Sequence, residues 1–200
     1  MRQLRRHGPL HLLTLVAVAI GLFMIGYYWG NQYKQTQQPE LAAVMLRPPV
    51  APPLEGLVDH EGRVFDIQRL RGHLSIMALG DSADEGGRAL LGRLVRIRNR
   101  LVDSPQLRNT LQIVFIDIAL AADESAQPQS WVAAYGAGFV AVSGPTDALS
   151  RLATILGLPP GKGSDALFLA DREGRIVALF PHRQEVDSIA ADLKAYAESH

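Results

Sequence analysis

The 200-residue chain contains no cysteine, which removes disulfides, thiolate metal ligands and thiol nucleophiles from every reading of its function. It also lacks an excess of either charge. Its 20 basic residues balance 20 acidic ones, so no bulk attraction draws it to nucleic acid or to an anionic surface. No Gly-x-Ser-x-Gly elbow is present, so the strand-to-helix nucleophile of serine hydrolases is missing, and no internal repeat is evident. What remains is apolar mass, 48% hydrophobic against 20% charged, enough for one core-bearing domain with appendages.

The stretch 10–30 carries no ionised residue except His11, and about 20 such residues span a hydrocarbon core of about 30 Å as a helix. Arg2, Arg5 and Arg6 precede it and Tyr27, Tyr28 and Trp29 close it, a positive-inside flank followed by an interfacial aromatic belt. A single transmembrane anchor is therefore expected, with residues 1–9 cytoplasmic, membrane lipid as a partner of the helix, and the C-terminal part extracytoplasmic or periplasmic. Bulky Tyr-Tyr-Trp disfavours a cleaved signal peptide. Residues 31–53, Gln-rich and then Pro-rich at Arg47-Pro48-Pro49 and Pro52-Pro53, read as a semi-rigid linker.

Residues 54–200 alternate strand and helix signals. Leu54 to Val58 and Arg63 to Phe65 flank the turn Asp59-His60-Glu61-Gly62, and Leu74 to Leu79 reads as a first central strand. A helix from about Arg88 to Val102 follows, with Leu90, Leu94, Ile97 and Leu101 on one face. Leu111 to Ile118 is β-branched and nearly continuous in apolar residues, as for a strand covered on both faces. Ser125 to Tyr135 and Thr146 to Leu156 read as helices around a short strand from Phe139 to Val142. A hairpin about Asp171-Arg172-Glu173-Gly174-Arg175 and a helix from Gln184 to Tyr196 complete the chain. This order predicts an α/β, thioredoxin-like domain, a central sheet flanked by helices.

The loop Gly80-Asp81-Ser82-Ala83-Asp84-Glu85-Gly86-Gly87-Arg88 joins the first central strand to its helix, and open α/β sheets bind ligands at such junctions. Asp81, Asp84 and Glu85, with a histidine, are candidate ligands for a hard cation. The simpler reading is helix capping, because a carboxylate just before a helix accepts its free N–H groups and favours its dipole. Gly86 and Gly87 then supply only the freedom of a tight turn. His60, His73 and His182 are scattered and show no metal-ligand spacing. The run from Gly157 to Ser164 has the wrong glycine spacing for a phosphate loop and follows a helix, so it reads as a surface loop. Arg93, Arg96 and Arg100, with Arg88 and Arg98 nearby, suggest a basic face for docking an acidic partner, adjoining Asp84 and Glu85.

In this order the pieces resemble the Sco/SenC family of thioredoxin-like cytochrome c oxidase assembly proteins. Pro52 to Phe65 is similar to the family's opening hairpin, Leu70-Arg71-Gly72-His73-Leu74-Ser75 to its lead into the first core strand, and Val114-Phe115-Ile116, Ser143-Gly144 and Leu167 to Gly174 to its later strands and turns. The resemblance implies a membrane-anchored protein whose relatives bind copper through a Cys-x-x-x-Cys pair after that strand and a histidine before a late one. Here those positions fall on Asp84, Arg88 and about Gly163. Copper(I) selects soft sulfur ligands, and a carboxylate with an ever-protonated guanidinium does not replace them. The chain is expected to be a degenerate, non-enzymatic member without copper transfer, thiol redox activity or a cofactor, the alternatives being a metal-binding protein using Asp, Glu and His ligands near Asp81–Glu85 or an unrecognised enzyme on the same fold. An oxidase subunit or assembly factor is its implied partner, and Asp84, Glu85, Arg88, Arg93 and Arg96 are its candidate partner-binding residues.

Overall fold

In a computed structural model the described residues are 18–24, 41–118, 132, 135–136 and 138–200. The chain divides into two units, Met1–Glu40 and Leu41–His200. In the first, residues 18–24 are helical with exposed side chains, and the rest of the expected anchor lies outside the described residues. Among the described residues no helix is long and apolar enough to cross a membrane.

The second unit is built on a seven-stranded sheet. Its strands are β1 (Val44–Val50), β2 (Val58–Asp59), β3 (Ser75–Gly80), β4 (Gln112–Asp117), β5 (Phe139–Ser143), β6 (Leu167–Ala170) and β7 (Ile176–Phe180), in the order β1-β7-β6-β3-β4-β5-β2. Strands β3, β4 and β5 run parallel, Gly80 lying beside Asp117, and β6 pairs antiparallel with the other side of β3. The helices are α1 (Ile67–Leu70), α2 (Glu85–Asn99), α3 (Pro105–Thr110), α4 (Thr146–Ile155) and α5 (Val186–Ser199). The thioredoxin-like α/β expectation holds in this architecture.

Alternation along the central strands explains their continuous apolar runs. Ile76, Ala78, Ile113, Phe115, Leu167 and Leu169 pack on one face with Leu90, Leu94 and Ile97 of α2 and Ile189 and Leu193 of α5. Met77, Leu79, Val114, Ile116 and Phe168 face the other way, onto Leu54, Leu57, Phe65, Leu70, Leu149 and Leu152. A strand buried on both faces has no position left for a polar residue except at its ends.

Three local expectations change. Val44–Val50, placed in the linker by its prolines, is an edge strand whose Val44 and Met45 pair antiparallel with Leu179 and Ala178 of β7. Pro48 and Pro49 fall where the register shifts between Met45 and Val50, on an edge strand, where proline is tolerated. The buried Asp192 of α5 fastens the start of this segment by accepting the backbone N–H groups of Ala42 at 3.1 Å and Ala43 at 2.9 Å. The first hairpin survives only as a Val58–Val64 bridge, because Val58 and Asp59 instead join the sheet beside β5. Ser104-Pro105 both ends the preceding helical run and opens α3, with proline at its first turn. The helix expected from Ser125 lies outside the described residues except at Val132 and Tyr135, which are helical.

Candidate functional site

Strand β3 ends at Gly80, which is crowded: a Cβ there would lie 3.1 Å from the Phe115 ring and 3.2 Å from Leu90 Cδ2. The chain then turns on its own carboxylates. Asp81 Oδ1 accepts the Ala83 N–H at 2.8 Å, and Asp84, the N-cap of α2, accepts the Gly87 N–H at 2.5 Å. Glu85 occupies the first turn, where negative charge suits the helix dipole. Arg88 folds back to donate to the Ala83 carbonyl at 2.6 Å, and Ser82 N–H donates to the buried Asp117 carboxylate of β4 at 3.2 Å.

Two of the three candidate metal-ligand carboxylates therefore accept backbone hydrogen bonds, Asp81 within the loop and Asp84 from the first turn of α2. His73 is exposed just before the amino end of β3, the end opposite Gly80, and His182 lies 3.5 Å from Asp165. Among the described residues no group of three His, Asp or Glu side chains converges as a metal site. The capping reading predicts that Asp84→Ala costs about 1 kcal/mol, a fall in Tm of roughly 2–4 °C, with no change in bound metal. Thermal melts with elemental analysis of the same samples check both parts.

Gly87 has a different role from the one expected. It lies inside α2, and a Cβ on it would stand 1.7 Å from the Asp81 carbonyl oxygen. Space for the Asp81 backbone is what the residue provides.

The run 157–166 comes back to the same place. Ser164 N–H donates to the Leu79 carbonyl at 2.8 Å, and a Cβ on Gly163 would lie 3.1 Å from Gly80 Cα and 3.5 Å from the Leu79 carbonyl oxygen. So Gly163, Asp84 and Arg88, separated in sequence, flank one strand end. Spacing alone could not have put Gly163 against Gly80.

The basic face is not assembled as expected. Arg93 points inward and is 9% exposed, because it stands between Leu90, Leu94 and Ile97 on the buried face of α2. Its guanidinium donates to the carbonyls of Asp165 at 2.8 Å, Pro181 at 3.1 Å and Gln184 at 2.8 Å. Burial lowers its pKa from the usual arginine value, opposed by the nearby Asp165 charge, and an arginine so placed stays protonated. It leaves the docking set. The helical spacing of Leu90, Arg93, Leu94 and Ile97 was the signal available in the sequence. Arg100 pairs with Asp187 at 2.7 Å, and Arg98 lies over the Phe139 ring, 5.8 Å from its centroid. Arg96 and Arg88 are exposed.

A sheet of this order, whose parallel β3 and β4 end at a capped loop met by a second loop before β6, can be compared with known proteins. Yeast Sco1 with copper bound superposes with a TM-score of 0.65 at 21% identity, over 76% of this chain and 91% of that one. The fold is that of the Sco proteins. BsSco, a member of the Sco family of cytochrome c oxidase assembly proteins, superposes at 0.58 with 12% identity, over 75% of this chain and 96% of its own. In sequence, a Stutzerimonas stutzeri protein whose provisional name is copper-binding protein is 29% identical over 146 residues, 72% of this chain and 70% of that one. No protein-family profile matches the chain. The Sco fold here carries no cysteine anywhere in its sequence.

Proposed function

We propose that this chain is a Sco-type accessory protein of cytochrome c oxidase assembly, anchored in the inner membrane by residues 10–30 with its folded domain periplasmic, and devoid of copper-transfer and thiol redox chemistry. The observation that carries the reading is the end of β3. On the family resemblance Asp84, Arg88 and Gly163 stand where two thiolates and an imidazole would be, and here they form a helix cap, a loop brace and a close backbone contact. Copper(I) finds no soft donor there. Its Sco-fold neighbours include a copper-bound protein and an oxidase assembly factor, so what supports an oxidase-related partner is the shared fold, and what argues against the copper step is the donor set.

The partner face takes in the exposed Asp84, Glu85 and Arg88 at the start of α2 and the exposed Arg96 near its end, about two turns further along the helix. Crosslinking of the full chain in its native membrane is expected to recover an oxidase subunit or assembly factor. Charge reversal at Arg88 and Arg96 together is expected to reduce recovery about tenfold, as for rim charges that steer association. Recovery of no respiratory component would overturn the reading. Stoichiometric copper retained through dialysis would overturn its chemical half.

A further inference from the structure

Arg93 is the most heavily engaged cation on α2, and none of its bonds is to a carboxylate. Its partners are main-chain carbonyls 72, 88 and 91 residues away in sequence, one in the loop before β6 and two in the loop between β7 and α5. A planar guanidinium with five fixed donors can hold several carbonyls at once, and an ammonium cannot reproduce that fork. Breaking its bonds would leave a cation within the buried face of the helix, a costly state. The same two loops also meet on the surface, where His182 Nδ1 lies 3.5 Å from Asp165 Oδ2.

The loop before β6 is the one that covers the end of β3. Asp165, whose carbonyl Arg93 holds, directly follows Ser164, whose N–H is bonded to Leu79, and Gly163, which packs on Gly80. The hydroxyl of Ser164 accepts the Ala166 N–H at 3.1 Å, which tightens the same turn. Anchors thus reach this short stretch from both sides, from β3 by the backbone and from α2 through Arg93.

We infer that Arg93 is a positioning residue, a clasp that holds the 157–166 loop shut on the carboxyl end of β3 so that this loop and the stretch from Asp81 through the first turn of α2 form one preformed face. The inference rests on the proposed function only in supposing that this face is used. A partner then meets a surface already in place and need not order it, which removes an entropic cost of binding.

Hydrogen exchange resolved to single amides in the full chain tests the clasp. In the wild type the Ser164 amide is expected to be protected within about tenfold of the β3 amides, as a bond opened only with its surroundings. In Arg93→Met, exchange at residues 162–166 and 182–186 is expected to rise about tenfold or more while β4 amides are unchanged, with Arg93→Lys in between. Two outcomes overturn the clasp: a wild-type Ser164 amide exchanging like an open loop, which needs no variant to fold, or an Arg93→Met rise spread evenly over the domain. Partner crosslinking on the same proteins separates the two claims. A protected loop with no partner recovered defeats the docking reading and leaves the clasp, and an unprotected loop with the partner still captured does the reverse.

Discussion

Gly87→Ala is expected to destabilise the domain by about 3 kcal/mol, at the upper end of overpacking costs, and to lower Tm by roughly 6–12 °C. A Cβ at that position would stand 1.7 Å from the Asp81 carbonyl oxygen, and neither atom belongs to a side chain that could swing aside. Relief requires the Asp81 backbone to move, and Asp81 supports Ala83 and Asp84 through its side chain and its carbonyl. The change should therefore disturb the cap and loop as well as the melting point. Gly86, its immediate neighbour, is the control. A Cβ there meets nothing closer than Asp84 Oδ1 at 3.5 Å, so Gly86→Ala should stabilise by up to about 1 kcal/mol through the helix preference for alanine. Paired melts that showed equal effects at the two glycines would refute this account.

Asp59→Ala is expected to cost about 2–4 kcal/mol, a Tm drop of roughly 4–16 °C, because it leaves two backbone donors and two guanidinium contacts unmade. The Asp59 side chain has no solvent exposure. Its Oδ1 accepts the N–H groups of Glu61 and Arg63, each at 2.9 Å, and its Oδ2 accepts from Arg63 Nε at 2.9 Å and Arg69 Nη2 at 3.1 Å. Burial pushes the Asp59 pKa up, but the hydrogen bonds from Arg63 and Glu61 outweigh it and hold the carboxyl below its ordinary value of 3.8. A carboxylate whose folded pKa is depressed adds stability above its unfolded pKa and loses it as pH falls through the folded one. Wild-type stability should therefore fall below about pH 4 more steeply than that of Asp59→Ala. Urea melts of the two proteins at pH 7 and pH 3 measure this, and an unchanged gap between them would count against the carboxylate as its source.

The same device occurs twice. Asp171 Oδ1 accepts the N–H groups of Glu173 at 3.0 Å and Arg175 at 2.8 Å, and its Oδ2 accepts from Arg175 Nε at 2.9 Å. Both turns read Asp-x-Glu-Gly-Arg, and in each the glycine takes a positive φ, 77° at Gly62 and 83° at Gly174. The sequence showed two turns with glycine at the expected place. Their common wiring was visible only once the carboxylates were seen to close them, since a repeat of five residues is too short to stand out in a chain of this length.

The legible parts of the fold were those governed by local chemistry. The continuous apolar runs of β3 and β4, the 3.6-residue spacing of Leu90, Leu94 and Ile97, and the carboxylate ahead of α2 each state their environment in neighbouring residues. Where a residue type has two uses, the local signal failed. Prolines suggested a linker at 44–50, where an edge strand tolerates them at an irregular register. The arginine cluster reads as a basic docking face, yet Arg93 lies on the apolar stripe of α2 and is buried. A charged side chain on that stripe needs partners, and its partners come from loops 72 to 91 residues away.

The sequence by itself determined that these 200 residues offer no thiol, because a residue type missing from a sequence is missing in each of its conformations. It also determined the alternating layers and the cap of α2, because periodicity and capping act within a few residues. Only the tertiary structure decided what became of the strand end itself. Gly163 against Gly80, Ser164 on Leu79 and Arg93 across two loops are contacts between distant segments, set by how the sheet brings β6 beside β3. Close packing and long-range hydrogen bonds follow from that topology, and no spacing along the chain encodes them.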